Sequence, residues 1–211
     1  MLARFLAAIA AMVAVVAASN VLVQYPFEVQ LGPVNLGDIL TWGAWSYPVA
    51  FLVTDLTNRT FGPAKARLAV LAGFVVAVIL SIYLATPRIA IASGSAFLVA
   101  QLLDIAIFHR LRDGAWWRAP MFSSLVSSAL DTAIFFSLAM APAFAGIDAM
   151  FGMEDSSLAF PAPFLAVGPE VPLWVSLAAG DFLVKLLLTV LMLAPYKTLR
   201  GWLAGRGAVA V

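Results

Sequence analysis

The chain has 211 residues, of which 64% are hydrophobic and only 11% are charged, with 12 Lys and Arg against 11 Asp and Glu. Because a soluble domain usually carries about 25% charged residues, this composition excludes an ordinary soluble enzyme, a disordered segment and a basic nucleic-acid-binding protein. A mean hydropathy of +1.02 indicates that many apolar side chains face lipid. With no Cys and one His, we expect neither a metal site nor a cofactor.

Six apolar segments, separated by Pro, Gly and charged residues, predict six transmembrane helices, since a span needs about 20 residues. Hydrocarbon requires backbone groups to pair within each segment, and no alternating apolar–polar pattern indicates a β-barrel. We therefore predict an all-α integral membrane protein with a single six-helix domain over residues 1–211. The segments are about Leu2–Gln24, Trp42–Thr57, Ala66–Thr86, Ile89–Phe108, Ala119–Ala141 and Val171–Pro195.

The first segment also has features of a signal peptide, because Arg4 precedes an apolar stretch and Ala17–Ser19 resembles a cleavage site. Its apolar stretch is long for a signal peptide, and no start of a mature domain follows it. We expect it to be retained as a helix.

Basic residues predict the orientation. Ten of the twelve lie between alternate spans or beside the termini, whereas Arg88 alone lies on the opposite side and Lys185 is within a span. The positive-inside rule then places the N-terminus and the C-terminus in the cytoplasm, and the six Trp residues near span ends agree with these boundaries. The ten are Arg4, Arg59, Lys65, Arg67, Arg110, Arg112, Arg118, Lys197, Arg200 and Arg206.

One long external loop, at about residues 143–170, is rich in Pro, Gly and Ala. Loops of this length without regular structure are usually functional or disordered. Two interpretations stay open: a loose connection, and a lid over an external pocket.

Ionisable residues within the predicted spans need partners or a function, since each costs about 2.5–3.5 kcal/mol at the bilayer centre. Asp55 and Arg59 are four residues apart, and we expect a structural ion pair at the cytoplasmic end of the second span. On the fourth span, Gln101 and Asp104 share a face with Phe97, and Arg110 could neutralise Asp104.

The fifth and sixth spans carry the most unusual polar residues. Asp131 is near the middle of the fifth span and has no basic residue one turn away; a stripe of Ser124, Ser127 and Ser128 leads to it. In the sixth span, Asp181 and Lys185 are spaced to form either a self-cancelling salt bridge or part of a ligand site. Together Asp131, Asp181 and Lys185 predict a polar site in mid-membrane, with a charge of −1 if all are ionised.

Further polar and aromatic residues lie near the external ends of the first two spans. Asn20 and Gln24 share a face, and Trp45 and Tyr47 open the second span. Aromatic residues there usually belong to the interfacial belt, although some can stack on a flat ligand.

Several strings of the sequence form a specific combination, whereas each alone is weak. They are Ser19–Pro26, Thr41–Ala44, Phe51–Thr57, Phe61–Gly62, Arg88–Ala90, Gln101–Asp104, Phe108–Arg112, Ser128–Thr132 and Phe135–Phe136, followed by Asp181 and Lys185. Together they closely resemble the bacterial queuosine precursor transporter family, integral membrane proteins that import 7-cyano-7-deazaguanine and 7-aminomethyl-7-deazaguanine. The likeness covers about residues 19–199; the first 18 residues and the long loop match poorly.

That family in turn resembles the six-helix substrate-binding components of vitamin importers, in which the pocket opens outside and small residues on the first helix dock a partner. Here the first span carries Ala7, Ala11, Ala14 and Ala18 on one face. This face is either such a docking surface or a site of ordinary tight packing.

The chemistry of a 7-deazaguanine fits these residues. Its adjacent N1–H and N2–H₂ donors suit a carboxylate, either Asp131 or Asp181. Its acceptors need donors, and its flat ring favours aromatic stacking. The predicted substrate-binding residues are Asp131, Asp181, Lys185, Gln101, Asn20, Asp104, Trp45, Tyr47, Phe97 and Phe135.

The resemblance implies an inner-membrane transporter that imports queuosine precursors for tRNA modification. The main alternative is a substrate-binding component of an energy-coupling vitamin importer for another flat heterocycle. An intramembrane enzyme has little support, because no paired His, Cys or G-x-S-x-G motif is present. Expected partners are the 7-deazapurine, the lipid bilayer and either a second copy or an energising module, with no nucleic acid.

Overall fold

The computed structural model describes residues 1–205, which form helices and two short hairpins. Arg206, one of the ten basic residues used for the orientation, lies outside the described residues. The helices are α1 (Leu2–Leu22), α2 (Trp42–Ser46), α3 (Val49–Phe61), α4 (Pro63–Leu84), α5 (Pro87–Leu111), α6 (Arg118–Met140), α7 (Gly146–Met150), α8 (Leu173–Leu191) and α9 (Leu193–Gly205). The antiparallel hairpins are β1 (Gln30–Leu31) with β2 (Val34–Asn35), and β3 (Pro161–Pro163) with β4 (Glu170–Pro172).

Five helical stretches within the described residues are long and apolar enough to cross a membrane: α1, α4, α5, α6 and α8 continued by α9. They confirm the prediction of an all-α membrane protein. Each coincides with one of the six predicted segments, and most of the boundaries agree to within a few residues. The agreement arises because the Pro residues that bound those segments also begin or end the helices.

The second predicted segment is not one continuous helix. It divides at Pro48 into the five-residue α2 and the 13-residue α3. Proline has no backbone N–H and its ring clashes with the preceding turn, so a helix cannot continue through it unchanged. The polar side chains of α3, including Thr54, Asp55 and Asn58, are buried against neighbouring helices.

The sixth predicted segment ends too early. The helix α8 ends at Leu191, and α9 continues from Leu193 to Gly205. Pro195 is the predicted end of this segment, yet it lies in the first turn of α9. Proline is tolerated there because the first N–H groups of a helix have no intrahelical partner.

The bundle packs in a simple order. The helix α4 lies between α1 and α5, α5 packs most extensively against α6, and α6 packs against α8, while α3 occupies the interior. Gly73 of α4 permits close contact with α1, because a Cβ there would lie 2.8 Å from Met12 Cγ. Gly43 brings α2 similarly close to the end of α1, with Val23 Cα 2.8 Å from the place of a Cβ.

The two ends of the bundle differ in charge and structure. We call the end that carries Arg4, Arg59, Lys65, Arg110 and Arg118 the basic end. The opposite end, here called the loop end, holds both hairpins and the segment 141–172. That segment is not structureless, since it contains α7, β3, β4 and two short 3₁₀ turns.

Candidate functional site

A cavity of about 780 Å³ lies at the loop end, between the last turns of α1, the segment 37–47, the α4–α5 junction, α6 and α8. Exposed Gln24, Asp38 and Tyr83 lie along its wall near the surface, whereas Asp131 and Lys185 form a buried floor. Its size is that of a small-molecule binding site. Asp131, Asp181 and Lys185, which the sequence predicts to form one polar site, line the same cavity.

Lys185 organises the floor. Its Nζ lies 2.6 Å from Asp131 Oδ2 and 2.6 Å from Asp181 Oδ2, and it donates to Thr132 Oγ1 at 3.1 Å. Thr132 Oγ1 in turn donates to Asp181 Oδ2 at 2.8 Å. All three N–H donors of the ammonium are thereby engaged, and the site is a carboxylate–ammonium–carboxylate triad whose net charge is −1 if all three groups are ionised.

One acceptor of this triad is unused. Asp131 Oδ1 is buried and has no hydrogen-bond partner. A buried polar atom without a partner costs about 1–3 kcal/mol. The side chain of Asp181 is more accessible, with 14% exposed against 5% for Asp131. The floor thus presents one unsatisfied carboxylate oxygen beside a second, more open carboxylate.

The triad lies near mid-membrane depth. Asp131 is nine residues from the end of α6 at Met140, and at 1.5 Å per residue this is about 14 Å. Asp181 is eight residues from the start of α8 at Leu173, or about 12 Å. Half of a 30 Å hydrocarbon core is about 15 Å, so a ligand on the floor would be well inside the bilayer.

Aromatic rings flank the floor. Tyr47 lines the cavity and lies with its ring centroid 5.9 Å from Lys185 Nζ, and Phe135 and Phe136 line the opposite side. Of the other two predicted aromatic residues, neither lines the cavity. Phe97 is buried and supports Tyr47 in an edge-to-face contact at 5.9 Å, and Trp45 packs on Phe27 at 5.0 Å.

Asn20 lines the cavity as predicted. Its Nδ2 donates to the carbonyl of Val16 at 2.9 Å, and its Oδ1 accepts from Ser81 at 3.3 Å. These contacts fix the amide and leave its second N–H available. Gln24 follows one turn later and donates to the carbonyl of Asn20.

Gln101 and Asp104 do not line the cavity. Gln101 accepts a hydrogen bond from Thr54 at 2.5 Å, and Asp104 lies beside Asp55 in the interior. The expected ion pair of Asp55 with Arg59 does not form within the described residues, since Arg59 donates to the carbonyl of Arg112.

Arg110 does not neutralise Asp104, because the Arg110 side chain is exposed at the basic end and Asp104 is buried. Helical spacing predicted only that both residues share α5. It gave no information on which neighbouring helix covers each face.

Sequence reasoning missed several residues of the site. Thr132 bridges the triad. It had no signal in the sequence because it directly follows Asp131, and successive residues of a helix do not face each other. Asp38 and Phe136 also line the cavity. Asp38 had a weak signal, as an acidic residue in an external segment, whereas the position of Phe136 depends on how α6 is rotated in the bundle.

The segment after α6 is fastened to the bundle by Arg88, whose side chain is fully buried. Arg88 donates to Asp148 Oδ2 at 2.7 Å and to Ser157 Oγ at 3.0 Å. It also donates to the carbonyls of Leu138 and Ala141. Met153 of the same segment lines the cavity, and the lid interpretation remains a prediction.

The charge on Asp148 contributes to this fastening. Hydrogen bonds from the backbone N–H of Ser156 and from Arg88 hold the pKa of Asp148 below its ordinary value, outweighing the effect of its desolvation. The hydrogen bond from Ser157 similarly lowers the pKa of Asp155. Both carboxylates are therefore charged at neutral pH and pair with Arg88 across the segment.

The fold defines a multi-pass membrane protein with a cavity of the size of a small-molecule site near mid-membrane. The family described as "Putative vitamin uptake transporter" matches residues 41–86 and 80–199, and the chain belongs to this family.

Three curated relatives are similar to the chain. The "Probable queuosine precursor transporter" of Haemophilus influenzae is 34% identical over 86% of this chain and 79% of its own. The "Queuosine precursor transporter" of Escherichia coli is 36% identical over 59% and 63%, respectively. The "Probable queuosine precursor transporter" of Bacillus subtilis is 30% identical over 47% and 56%. No solved structure matches the chain significantly.

Acid should release the segment that Arg88 fastens. A carboxylate whose pKa is lower in the folded than in the unfolded protein stabilises the folded segment at pH values above its unfolded pKa of about 3.9. This stabilisation is lost as the pH falls through the pKa of the folded state. A spin label at Met150→Cys, unique in a chain without cysteine, should be equally ordered at pH of about 7 and 5 and more mobile below about pH 4. Asp148→Asn should raise its mobility already at neutral pH.

The control label is Leu31→Cys, which lies in the β1–β2 hairpin and is also exposed to solvent, at 60% against 83% for Met150. Its mobility should not respond to Asp148→Asn. A label at position 150 that is insensitive to both acid and Asp148→Asn would contradict the fastening role of Arg88 and Asp148.

Proposed function

We propose that the protein is a transporter of the bacterial inner membrane that imports the queuosine precursors 7-cyano-7-deazaguanine and 7-aminomethyl-7-deazaguanine. The names of the relatives suggest this substrate class. The single structural observation that carries the proposal is the unpartnered Asp131 Oδ1 at the floor of the large cavity.

A 7-deazaguanine edge presents N1–H and N2–H₂ side by side. Asp131 can accept one donor at Oδ1, and Oδ2 keeps a lone pair for the second although it already accepts from Lys185. Charge-assisted hydrogen bonds of this kind are about twice as strong as neutral ones. Lys185 would then act by holding both carboxylates in place, because its own donors are engaged.

The rest of the ligand would contact the walls of the cavity. Tyr47 and Phe135 lie where a flat ring could stack above the triad, an interaction worth about 1–3 kcal/mol per base. The remaining N–H of Asn20 is the nearest available donor on the α1 side for the oxygen or nitrile of the ligand. Gln101, Asp104, Trp45 and Phe97 would support the site from outside the cavity.

We further propose one transmembrane domain with six crossings, in which α2 and α3 together supply the short sixth crossing and both termini are cytoplasmic. The basic residues cluster at one end, which the positive-inside rule places in the cytoplasm. The cavity opens at the loop end and would face outside, as in the binding components of vitamin importers.

A reporter fused after Val211 tests this orientation. The basic end predicts a cytoplasmic C-terminus, so a fluorescent reporter that folds only in the cytoplasm should be active and a reporter that requires export should be inactive. The reverse pattern would overturn both the topology and the outward-facing cavity.

Replacement of the floor carboxylates tests the proposed contact with the ligand. Asp131→Asn keeps the size of the side chain but can place an N–H₂ group against the donors of the ligand. The loss of a charge-assisted bond costs about 1.5–3 kcal/mol, so affinity should fall about tenfold to a few hundredfold. Binding of radiolabelled precursor to purified protein measures this, and Asp131→Glu should do less harm.

Asp181→Asn is the matched control, because Asp181 bonds to the same lysine. If Asp181→Asn abolishes binding while Asp131→Asn binds like the wild type, Asp181 reads the ligand. If both variants bind like the wild type, the triad is structural and the ligand binds elsewhere.

The charge of the cavity suggests a preference between the two precursors. Its charged lining residues are Asp38, Asp131, Asp181 and Lys185, which give three negative charges against one positive, or −2 if all are ionised. The aminomethyl precursor carries an ammonium group, whereas the cyano precursor is neutral. A net negative cavity favours the cation.

Competition between the two precursors measures this preference. At a separation of several ångströms and moderate screening the attraction is on the order of 1–2 kcal/mol, so the aminomethyl form should bind about tenfold more tightly. Asp38→Asn, near the mouth, should reduce the difference without abolishing binding of the cyano form. Equal affinities, or a preference for the cyano form, would refute the electrostatic argument.

A second function has one observation in its favour. Ala7, Ala11, Ala14 and Ala18 are all exposed on α1, so this face of small residues is not used for packing within the described chain. It would suit the alternative of a substrate-binding component that docks an energising module. Uptake by the purified chain alone favours the first function, whereas uptake that requires a co-purified ATPase favours the second.

A further inference from the structure

A second buried acidic group lies below the cavity, toward the basic end. Asp55 of α3 and Asp104 of α5 are 2% and 0% exposed. Their carboxyl groups lie side by side in the α3–α5 contact, between the hydrogen bond of Thr54 with Gln101 and that of Asn58 with the carbonyl of Ile105. As carboxylates the two groups have no proton to share, and both oxygens of Asp104 then lack a donor. A proton on either group converts the contact into a hydrogen bond.

The pair has no neutralising cation among the described residues 1–205. None of the ion pairs among residues 1–205 involves Asp55 or Asp104, and Arg59 is directed to the carbonyl of Arg112. Ser123 of α6 donates to Asp55 at 3.5 Å, and Tyr196 of α9 lines the same small cavity as Asp55.

The remaining charged side chains on the surrounding helices are engaged or distant. Lys185 of α8 is bonded to Asp131 and Asp181, and Arg88 is ion-paired at the loop end. The others are exposed or half-buried near the basic end: Arg4, Lys65, Arg67, His109, Arg110, Arg118, Lys197 and Arg200. Two adjacent buried carboxylates without a counter-ion repel each other and are poorly solvated, so the pair retains a proton in this state.

Two independent features connect the pair to its surroundings. A cavity of about 10 Å³ lies against Asp55, Ser124 and Tyr196, which is close to the volume that one water requires. On the other side, the hydroxyls of Ser127 and Ser128 are buried and have no hydrogen-bond partner. They occupy α6 between Ser124 and Asp131.

Ser127 and Ser128 therefore lie along α6 between the two acidic groups. Asp131 is seven residues from Ser124, or about 11 Å along α6. Hydroxyl groups without a fixed partner can both donate and accept, and a chain of them, completed by water, can pass a proton. A change of charge at the lower pair would act on the ligand floor through α6, which contributes to both sites.

We propose that Asp55 and Asp104 form a proton-binding site that couples import of the ligand to proton entry. The external ligand occupies the floor while the acid pair is protonated. Release of the proton toward the basic end restores the charge of the pair and favours ligand release on that side. The coupling rests on the transport function proposed above, whereas the protonated state of the pair does not.

Uptake into proteoliposomes tests the coupling. Purified protein is reconstituted, the membrane potential is clamped with potassium and valinomycin, and radiolabelled 7-aminomethyl-7-deazaguanine is supplied. With the outside one pH unit more acidic, the wild type should accumulate the ligand about tenfold, since one pH unit per proton is tenfold in concentration. A protonophore should abolish this accumulation.

The double variant Asp55→Asn, Asp104→Asn mimics the protonated shape and should let the ligand equilibrate without accumulating. Asp113→Asn removes an exposed carboxylate from the loop after α5 and should accumulate ligand like the wild type. Accumulation by the double variant, or accumulation driven by a sodium gradient at equal pH, would overturn the coupling.

Infrared spectroscopy separates the site from the transport function. At neutral pH the wild type should show the C=O stretch of a protonated carboxylic acid, and the double variant should lack it while Asp113→Asn keeps it. Absence of this band in the wild type would overturn the proton site whatever the uptake result. If the band is present but the wild type neither binds nor imports either precursor, the proposed function fails and the proton site stands.

Discussion

The ammonium of Lys185, held between Asp131 and Asp181, is the interaction on which the cavity depends. It joins α6 to α8 near mid-membrane, where a lone carboxylate or ammonium would be costly. Removing one partner would leave an uncompensated charge, so the three residues act as one structural unit. The same unit leaves Asp131 Oδ1 unused, so the residue that helps to join α6 to α8 is also the one proposed to contact the ligand.

The bundle holds two acidic groups in different environments: the carboxylates of this triad, and the pair of Asp55 and Asp104. Toward the loop end the carboxylates line an open cavity, and both pair directly with Lys185. Toward the basic end Asp55 and Asp104 are buried, and none of the described residues forms an ion pair with them. The serine stripe of α6 runs between them. A polar path of this kind is rare in lipid-embedded helices, where each unsatisfied group carries a free-energy cost.

Much of the fold follows from the sequence, because hydropathy and Pro positions determine where long helices begin and end. Asp131, Asp181 and Lys185 were also predictable, since mid-span ionisable residues are rare and two of them share a helix face. Four residues predicted for the site lie outside the cavity: Gln101, Asp104, Phe97 and Trp45. Helical spacing predicts which face of a helix a residue occupies, but not which neighbouring element covers that face. The role of Arg88 had no local signal, since its partners lie 50 to 69 residues away in sequence.

The break at Pro48 has a consequence for how the chain assembles in the bilayer. The helix α3 is only 13 residues long and buries Thr54, Asp55 and Asn58. On its own it would be a poor substrate for insertion, since a central Asp alone costs about 2.5–3.5 kcal/mol on the translocation scale. Its polar face is covered by α5 and α6, which are synthesised later. Stable insertion of α3 therefore has to wait for those helices, and the segment must be held at the membrane surface or at the insertion machinery until they arrive.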